Sequence, residues 1–168
     1  MSRETLDPAF TRLTMHPKTK PPTAPALPKL ADFLCFAVYS ANLAFGRAYK
    51  PILDELGLTY TQYIAIVALW EEDEQTVSGL GQKMFLESNT LTPILKKLEQ
   101  MGYLTRRRAA EDERQVVVRL TDAGRRVRER IQTDTLNDQT GLTPDEFATL
   151  QKAVAKLRDN LLDAVAGK

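Results

Sequence analysis

Ser88-Asn89-Thr90-Leu91-Thr92-Pro93-Ile94-Leu95-Lys96-Lys97-Leu98-Glu99-Gln100-Met101-Gly102, followed at once by Tyr103-Leu104-Thr105-Arg106-Arg107-Arg108, is the stretch that decides the fold. Leu91, Ile94, Leu95, Leu98 and Met101 recur at threes and fours, which places one apolar stripe on a helix, and Gly102 closes it. Just upstream, Val77, Leu80 and Met84 space out a shorter helix that breaks near Phe85-Leu86. Two short helices across a tight turn, the second polar at its start, form a helix-turn-helix pattern. Downstream, residues 103–108 and 115–120 read as two strands around the polar tip Ala109-Ala110-Glu111-Asp112-Glu113-Arg114. A β-hairpin placed directly after the second helix is a wing. The expected fold is mainly α with a small β-wing, a winged helix-turn-helix.

Working outward, Leu30, Phe33, Leu34, Ala37, Val38, Ala41 and Phe45 predict an amphipathic first helix from Leu30, with Pro51 as a kink and Gly57 as its end. Thr59, with Gln62 three positions on, signals a capping box for a nearly apolar, buried second helix through about Glu71. Thr121-Asp122 starts a basic helix to about Thr133. Thr143-Pro144-Asp145-Glu146 is a second capping box, opening a final helix with Phe147, Leu150, Val154, Leu157, Leu161 and Val165 in one narrow stripe. Such a stripe favours packing against another helix, which points to a homodimer through the N- and C-terminal helices. Residues 1–28 hold six of the nine prolines and read as a flexible arm. Residues 29–168 then form the domain, with a DNA-binding lobe at about 59–120 and dimerisation helices at about 29–56 and 121–166.

The net charge of +1 does not by itself suggest nucleic acid, but its distribution does. Between Lys96 and Arg130 eleven basic residues stand against six acidic ones, a local excess that attracts phosphate. A solvated charged face is the competing reading. No run approaches the length of a membrane helix, and the longest, Ile64 to Trp70, is far too short. With no signal-peptide pattern and a single cysteine, a reducing cytoplasm is expected and no membrane partner. His16, the only histidine, has no partner that would make it catalytic. No cofactor or metal site is expected.

Ser88, Asn89, Thr90, Thr92 and Lys96 lead the second helix of the motif, where short hydroxyl and amide groups reach base edges and phosphates. Ordinary N-capping by Ser88 or Thr90 is the bland alternative. Pro93 suits the first turns and costs one backbone bond if Ser88 is the cap. Arg114 at the wing tip has the character of a minor-groove arginine, with Asp112 two residues before it placed to orient it along an extended strand. Arg106, Arg107 and Arg108 divide between phosphate contacts, Arg106 foremost, and solvent.

Leu80 to Leu120, with Ser88-Asn89-Thr90-Leu91-Thr92-Pro93, Lys97-Leu98-Glu99, Gly102 and Asp112-Glu113-Arg114, resembles the multiple-antibiotic-resistance regulator (MarR) family. Leu34-Cys35-Phe36, Tyr39, Tyr49-Lys50-Pro51, Leu58-Thr59-Tyr60 and Gln62-Tyr63 narrow the likeness to its organic hydroperoxide resistance regulators. The resemblance implies a dimeric repressor on palindromic operator DNA, not an enzyme. It implies that Cys35 is the thiol oxidised by an organic hydroperoxide, hydrogen-bonded by Tyr49 and Tyr60 of the partner subunit, with Tyr39 lining the pocket. Read from residues alone, a lone cysteine is equally a small core filler. Some relatives resolve the oxidised cysteine with a second one near the final helix. Here Leu136 to Gly141 carries none, so a low-molecular-weight thiol, a sulfenamide or over-oxidation must complete the chemistry. Three rivals stay open: a repressor released by a phenolic or aromatic ligand, a thiol peroxidase, and a structural dimerisation module.

Overall fold

The computed structural model describes residues 27–131 and 139–167. The expected Pro-rich arm therefore lies outside the described residues except for Leu27 and Pro28, as do the end of the basic helix near Thr133 and residues 136–138 of the cysteine-free stretch. The chain divides into two compact units, Met1–Ala37 and Val38–Lys168.

In the first unit Leu30–Asp32 forms a single 3-10 turn instead of the opening of one long helix. The Asp32 carboxylate accepts the Lys29 backbone N–H at 2.9 Å, which tightens the chain into that turn. Phe33 is extended, so helix α1 begins at Leu34 and runs to Glu55. Pro51 lies inside α1 without ending it. Its missing N–H leaves only the Arg47 carbonyl without its helical donor.

In the second unit, α1 stops on Gly57, whose φ of +66° is left-handed. The Gly57 N–H bonds the Asp54 carbonyl and the Leu58 N–H bonds the Leu53 carbonyl, a Schellman closure. Thr59 then caps α2 (Tyr60–Glu71) in the expected reciprocal box with Gln62. Ala65, Ile66 and Leu69 of α2 are fully buried. Against them pack α3 (Val77–Met84) through Leu80 and α4 (Ser88–Gln100) through Leu91, Leu95 and Leu98. Each fully buried leucine contributes about 2 kcal/mol relative to exposure.

A two-residue strand β1 (Gln75–Thr76) precedes α3, and the wing strands are β2 (Leu104–Arg108) and β3 (Val116–Leu120). The sheet order is β1-β3-β2, antiparallel throughout, with Leu104 opposite Leu120 and Arg107 opposite Val117. β1 has no sequence signature, because two residues cannot show alternation. Thr121 caps α5 (Asp122–Arg130), and α6 (Pro144–Ala166) starts on the expected Thr143–Glu146 box. α6 has no buried residue.

Candidate nucleic-acid interface

The turn between α3 and α4 sets the angle of the helix-turn-helix. Gly81 fits where an added Cβ would stand 2.7 Å from the Leu86 carbonyl oxygen. Phe85 then closes α3 with φ +56°, its N–H on the Gln82 carbonyl and the Leu86 N–H on the Gly81 carbonyl. This is the Schellman closure again, with a phenylalanine in the slot that Gly57 and Gly102 fill elsewhere.

The cap of α4 is Glu87, not Ser88 or Thr90, and it makes no side-chain cap bond. The Thr90 and Leu91 N–H groups both reach the Glu87 carbonyl oxygen at 3.0 Å, so backbone does the work expected of a hydroxyl. Ser88, Asn89 and Thr90 are left exposed at the helix start, with the Thr90 hydroxyl 3.2 Å from the Asn89 amide oxygen. Thr92 is half-buried and donates to the Ser88 carbonyl at 2.6 Å. Pro93, exposed, falls in the sixth helical position and cannot donate to the Asn89 carbonyl. Lys96 and Lys97 are exposed one turn on. The buried leucines of α4 thus hold one face while Asn89, Pro93 and Lys96 line the other at helical spacing.

The wing is fastened to α4 by Arg106. Its backbone N–H donates to Glu99 Oε1 at 3.0 Å, and Nε and Nη2 donate to Oε2 at 2.9 and 2.6 Å. These bonds from Arg106 hold the Glu99 carboxyl below its ordinary pKa. The Arg106 guanidinium is thus engaged within the chain, bracing β2 against the end of α4. The tip is not the extended strand expected around Asp112. Residues 112–115 form a turn in which the Asp112 carboxylate accepts the Arg114 backbone N–H at 3.0 Å and the Gln115 side-chain amide at 3.2 Å. Asp112 therefore shapes the backbone that presents Arg114, which stands exposed at the tip.

Sequence reading missed the acidic pair before β1. Asp73 accepts the Leu120 N–H at 2.9 Å and pairs with Arg125 of α5. Glu74, at φ +59°, reaches Arg107 of β2 at 3.3 Å and Arg119 of β3 at 3.2 Å. The register that places Arg107 and Arg119 on one sheet face was legible in the hairpin; the strand that brings Glu74 beside them was not.

Cys35 lies in the first turn of α1, in the first unit, and is exposed in the single chain. In the second unit Tyr39 is exposed, whereas Tyr49 is buried with its ring 5.3 Å from that of Tyr60 and 5.4 Å from that of Tyr63. Burial raises the pKa of the Tyr49 and Tyr60 phenols, and Tyr60 is raised further by Tyr49. Both therefore keep their protons and remain hydrogen-bond donors. Among the described residues no cluster of three or more His, Cys, Asp or Glu could hold a metal ion, and no single helix is long and apolar enough to cross a membrane.

Residues 47–131 match the family model described as transcriptional regulator SarA/Rot. The chain is 46% identical over 130 residues to the HTH-type transcriptional regulator TtmR of Methylorubrum extorquens, covering 76% of this chain and 67% of that one. It is 45% identical over 102 residues to the organic hydroperoxide resistance transcriptional regulator of Bacillus subtilis, covering 61% and 69%. Among solved structures, AbfR of Staphylococcus epidermidis aligns with a TM-score of 0.66 at 34% identity, over 80% of this chain and 93% of that one. AbfR has also been solved reduced and bound to DNA, overoxidized and bound to DNA, and with its disulfide formed. These relatives are regulators of transcription, not enzymes.

Proposed function

Because the chain belongs to the SarA/Rot family of MarR-like winged-helix transcriptional regulators, we propose that it is a homodimeric repressor of palindromic operator DNA, released when an organic hydroperoxide oxidises Cys35 in a reducing cytoplasm. The observation that carries the redox half of this reading is the single cysteine, exposed on a helix start, in a chain whose tyrosines at 49 and 60 meet ring to ring at 5.3 Å.

Peroxide attack needs a thiolate, and neutral phenols are the donors that stabilise one. In the dimer, Tyr49 and Tyr60 of the partner subunit supply those donors and Tyr39 lines the approach. The thiolate displaces an alcohol from the peroxide and becomes a sulfenic acid, which a low-molecular-weight thiol converts to a mixed disulfide with loss of water. The bulk of that adduct, set against the partner's tyrosines, separates the two α4 helices from successive major grooves. On the DNA, Ser88, Asn89, Thr90, Thr92, Pro93 and Lys96 meet the major groove, and Arg114, presented by Asp112, enters the minor groove.

A second reading, release by an aromatic ligand, is favoured by one feature. An apolar cavity of about 210 Å³ is lined by Ala41, Ala44, Phe45, Ala48, Tyr49, Gln139 and Thr140. The two readings separate on one experiment. Duplexes enriched from a random library are bound by wild type and by Cys35→Ser, with and without cumene hydroperoxide plus a small thiol, and each sample is weighed intact. Wild type is expected to let go and gain the mass of one thiol less two hydrogens, while the serine variant stays bound. Release of the serine variant sinks the redox reading, and release without mass change establishes the ligand. Overoxidized AbfR is bound to DNA in its crystal structure. By that precedent, over-oxidation of Cys35 alone is expected to leave this protein on its operator.

A further inference from the structure

Arg107 and Arg119 share the outer face of the wing sheet. Thr105 pairs with Arg119 and Arg107 with Val117, so the two arginines sit diagonally on neighbouring strands. Like charges in that relation repel across a sheet. One carboxylate, Glu74, stands between them, its two oxygens divided between the two guanidiniums. Two cations share one anion, and both arginines remain more than half exposed, at 63% and 53% of the side chain. The inner face of the same hairpin is occupied by Leu104, Val118 and Leu120 in the core and by Arg106 on Glu99.

Glu74 itself is held at φ +59°, a conformation that glycine adopts without strain and glutamate does not. A strained non-glycine residue persists where the surrounding structure over-determines it. Here the Glu74 N–H is held by the Asp73 carboxylate at 3.0 Å, and its side chain reaches an arginine on each wing strand from outside the hairpin.

We infer that Arg107 and Arg119 form a second phosphate-binding surface on the outer flank of the wing, and that Glu74 is the positioning residue that holds both guanidiniums ready and limits their affinity. This rests on the DNA-binding reading above. A hairpin whose tip enters a minor groove has a phosphate strand on each side, because that groove is only about 6 Å wide. Its inner flank is occupied by α4; its outer flank is this arginine pair. Phosphate contacts of this kind fix register without reading sequence.

The test is the salt dependence of binding to a mixed-sequence DNA duplex, with thermal unfolding as a check on each variant. Arg107→Ala and Arg119→Ala are each expected to lower the log–log salt slope by about 0.9. Arg107→Lys and Arg119→Lys keep the charge and should keep the slope. Glu74→Gln is expected to tighten binding about fivefold at low salt, with the gain fading as salt rises. Unchanged slopes in both alanine variants would overturn the inference, as would weaker binding by a fully folded Glu74→Gln. Failure of the wild type to bind any duplex at low salt is a separate outcome: it removes the DNA-binding reading along with this one.

Discussion

The α2–β3 lobe buries its leucines within one chain, whereas α6 buries nothing. Leu80, Leu91, Leu95, Leu98 and Leu104 are sealed among α2, α3, α4 and the sheet. Leu150, Val154, Leu161, Leu162 and Val165 of α6 stand open, and so do Val38, Tyr39, Leu43 and Phe45 of α1. A monomeric protein rarely leaves so much apolar surface contiguous on a helix, and such a face marks an interaction surface. The lobe is a finished object; the long helices are half of one. The lobe is where DNA contact is proposed, and the long helices are where the proposed second subunit docks.

Breaking the finished half should give the largest effect. An added Cβ at Gly124 would lie 2.1 Å from the Tyr103 carbonyl oxygen and 2.9 Å from Leu120 Cδ2. The Gly124 carbonyl also accepts the Trp70 indole N–H at 3.1 Å. Gly124→Ala forces α5 off the sheet and is expected to cost about 3 kcal/mol, read from urea denaturation. A variant as stable as wild type would mean that the junction of α5 with the sheet is loose.

Breaking the open half should leave the lobe folded and change the assembly. Leu161 is 59% exposed in the single chain, so Leu161→Glu has little to disturb there. In a dimer the same change buries an unpaired charge, which is expected to weaken association by about 3 kcal/mol, roughly a hundredfold. Sedimentation equilibrium reads this directly. A variant that sediments as wild type does would remove α6 from the interface.

The same contrast governs what could be read from residues alone. The lobe was legible because each element carries its own punctuation: Thr59 with Gln62, a leucine stripe on α4, Gly102 at its end, then a hairpin. The capping of α4 by Glu87 was not legible, since the backbone carbonyl does the bonding and any residue has one. Phe85 in a glycine slot was equally hidden, because its left-handed backbone contradicts local preference. The pairing of Arg106 with Glu99, seven positions earlier and brought back by the turn at Gly102, was not legible either. Cys35 was legible as chemistry only through the family resemblance that ties it to Tyr39, Tyr49 and Tyr60. Burial and ring contacts bring Tyr49 and Tyr60 together, but their meeting with Cys35 stays with the proposed dimer.

The Glu99–Arg106 brace gives the smallest expected effect and lies wholly within the lobe. Glu99 titrates below its ordinary value because Arg106 bonds its ionised form. A carboxyl depressed in the folded state contributes stability above its unfolded pKa, about 4.3, and loses that contribution as pH falls through the lower folded value. Glu99→Gln keeps an acceptor for the Arg106 N–H but discards the charge. With side chains 22% and 35% exposed, solvent screening limits the pair to about 1 kcal/mol or less. Wild type should therefore exceed the glutamine variant by that margin at pH 7 in urea denaturation, and the gap should close as the pH drops below about 4. The dimer constant should be the same for both at neutral pH, since the brace does not touch α6. A gap that persists at low pH would mean that shape, not charge, holds the wing to α4.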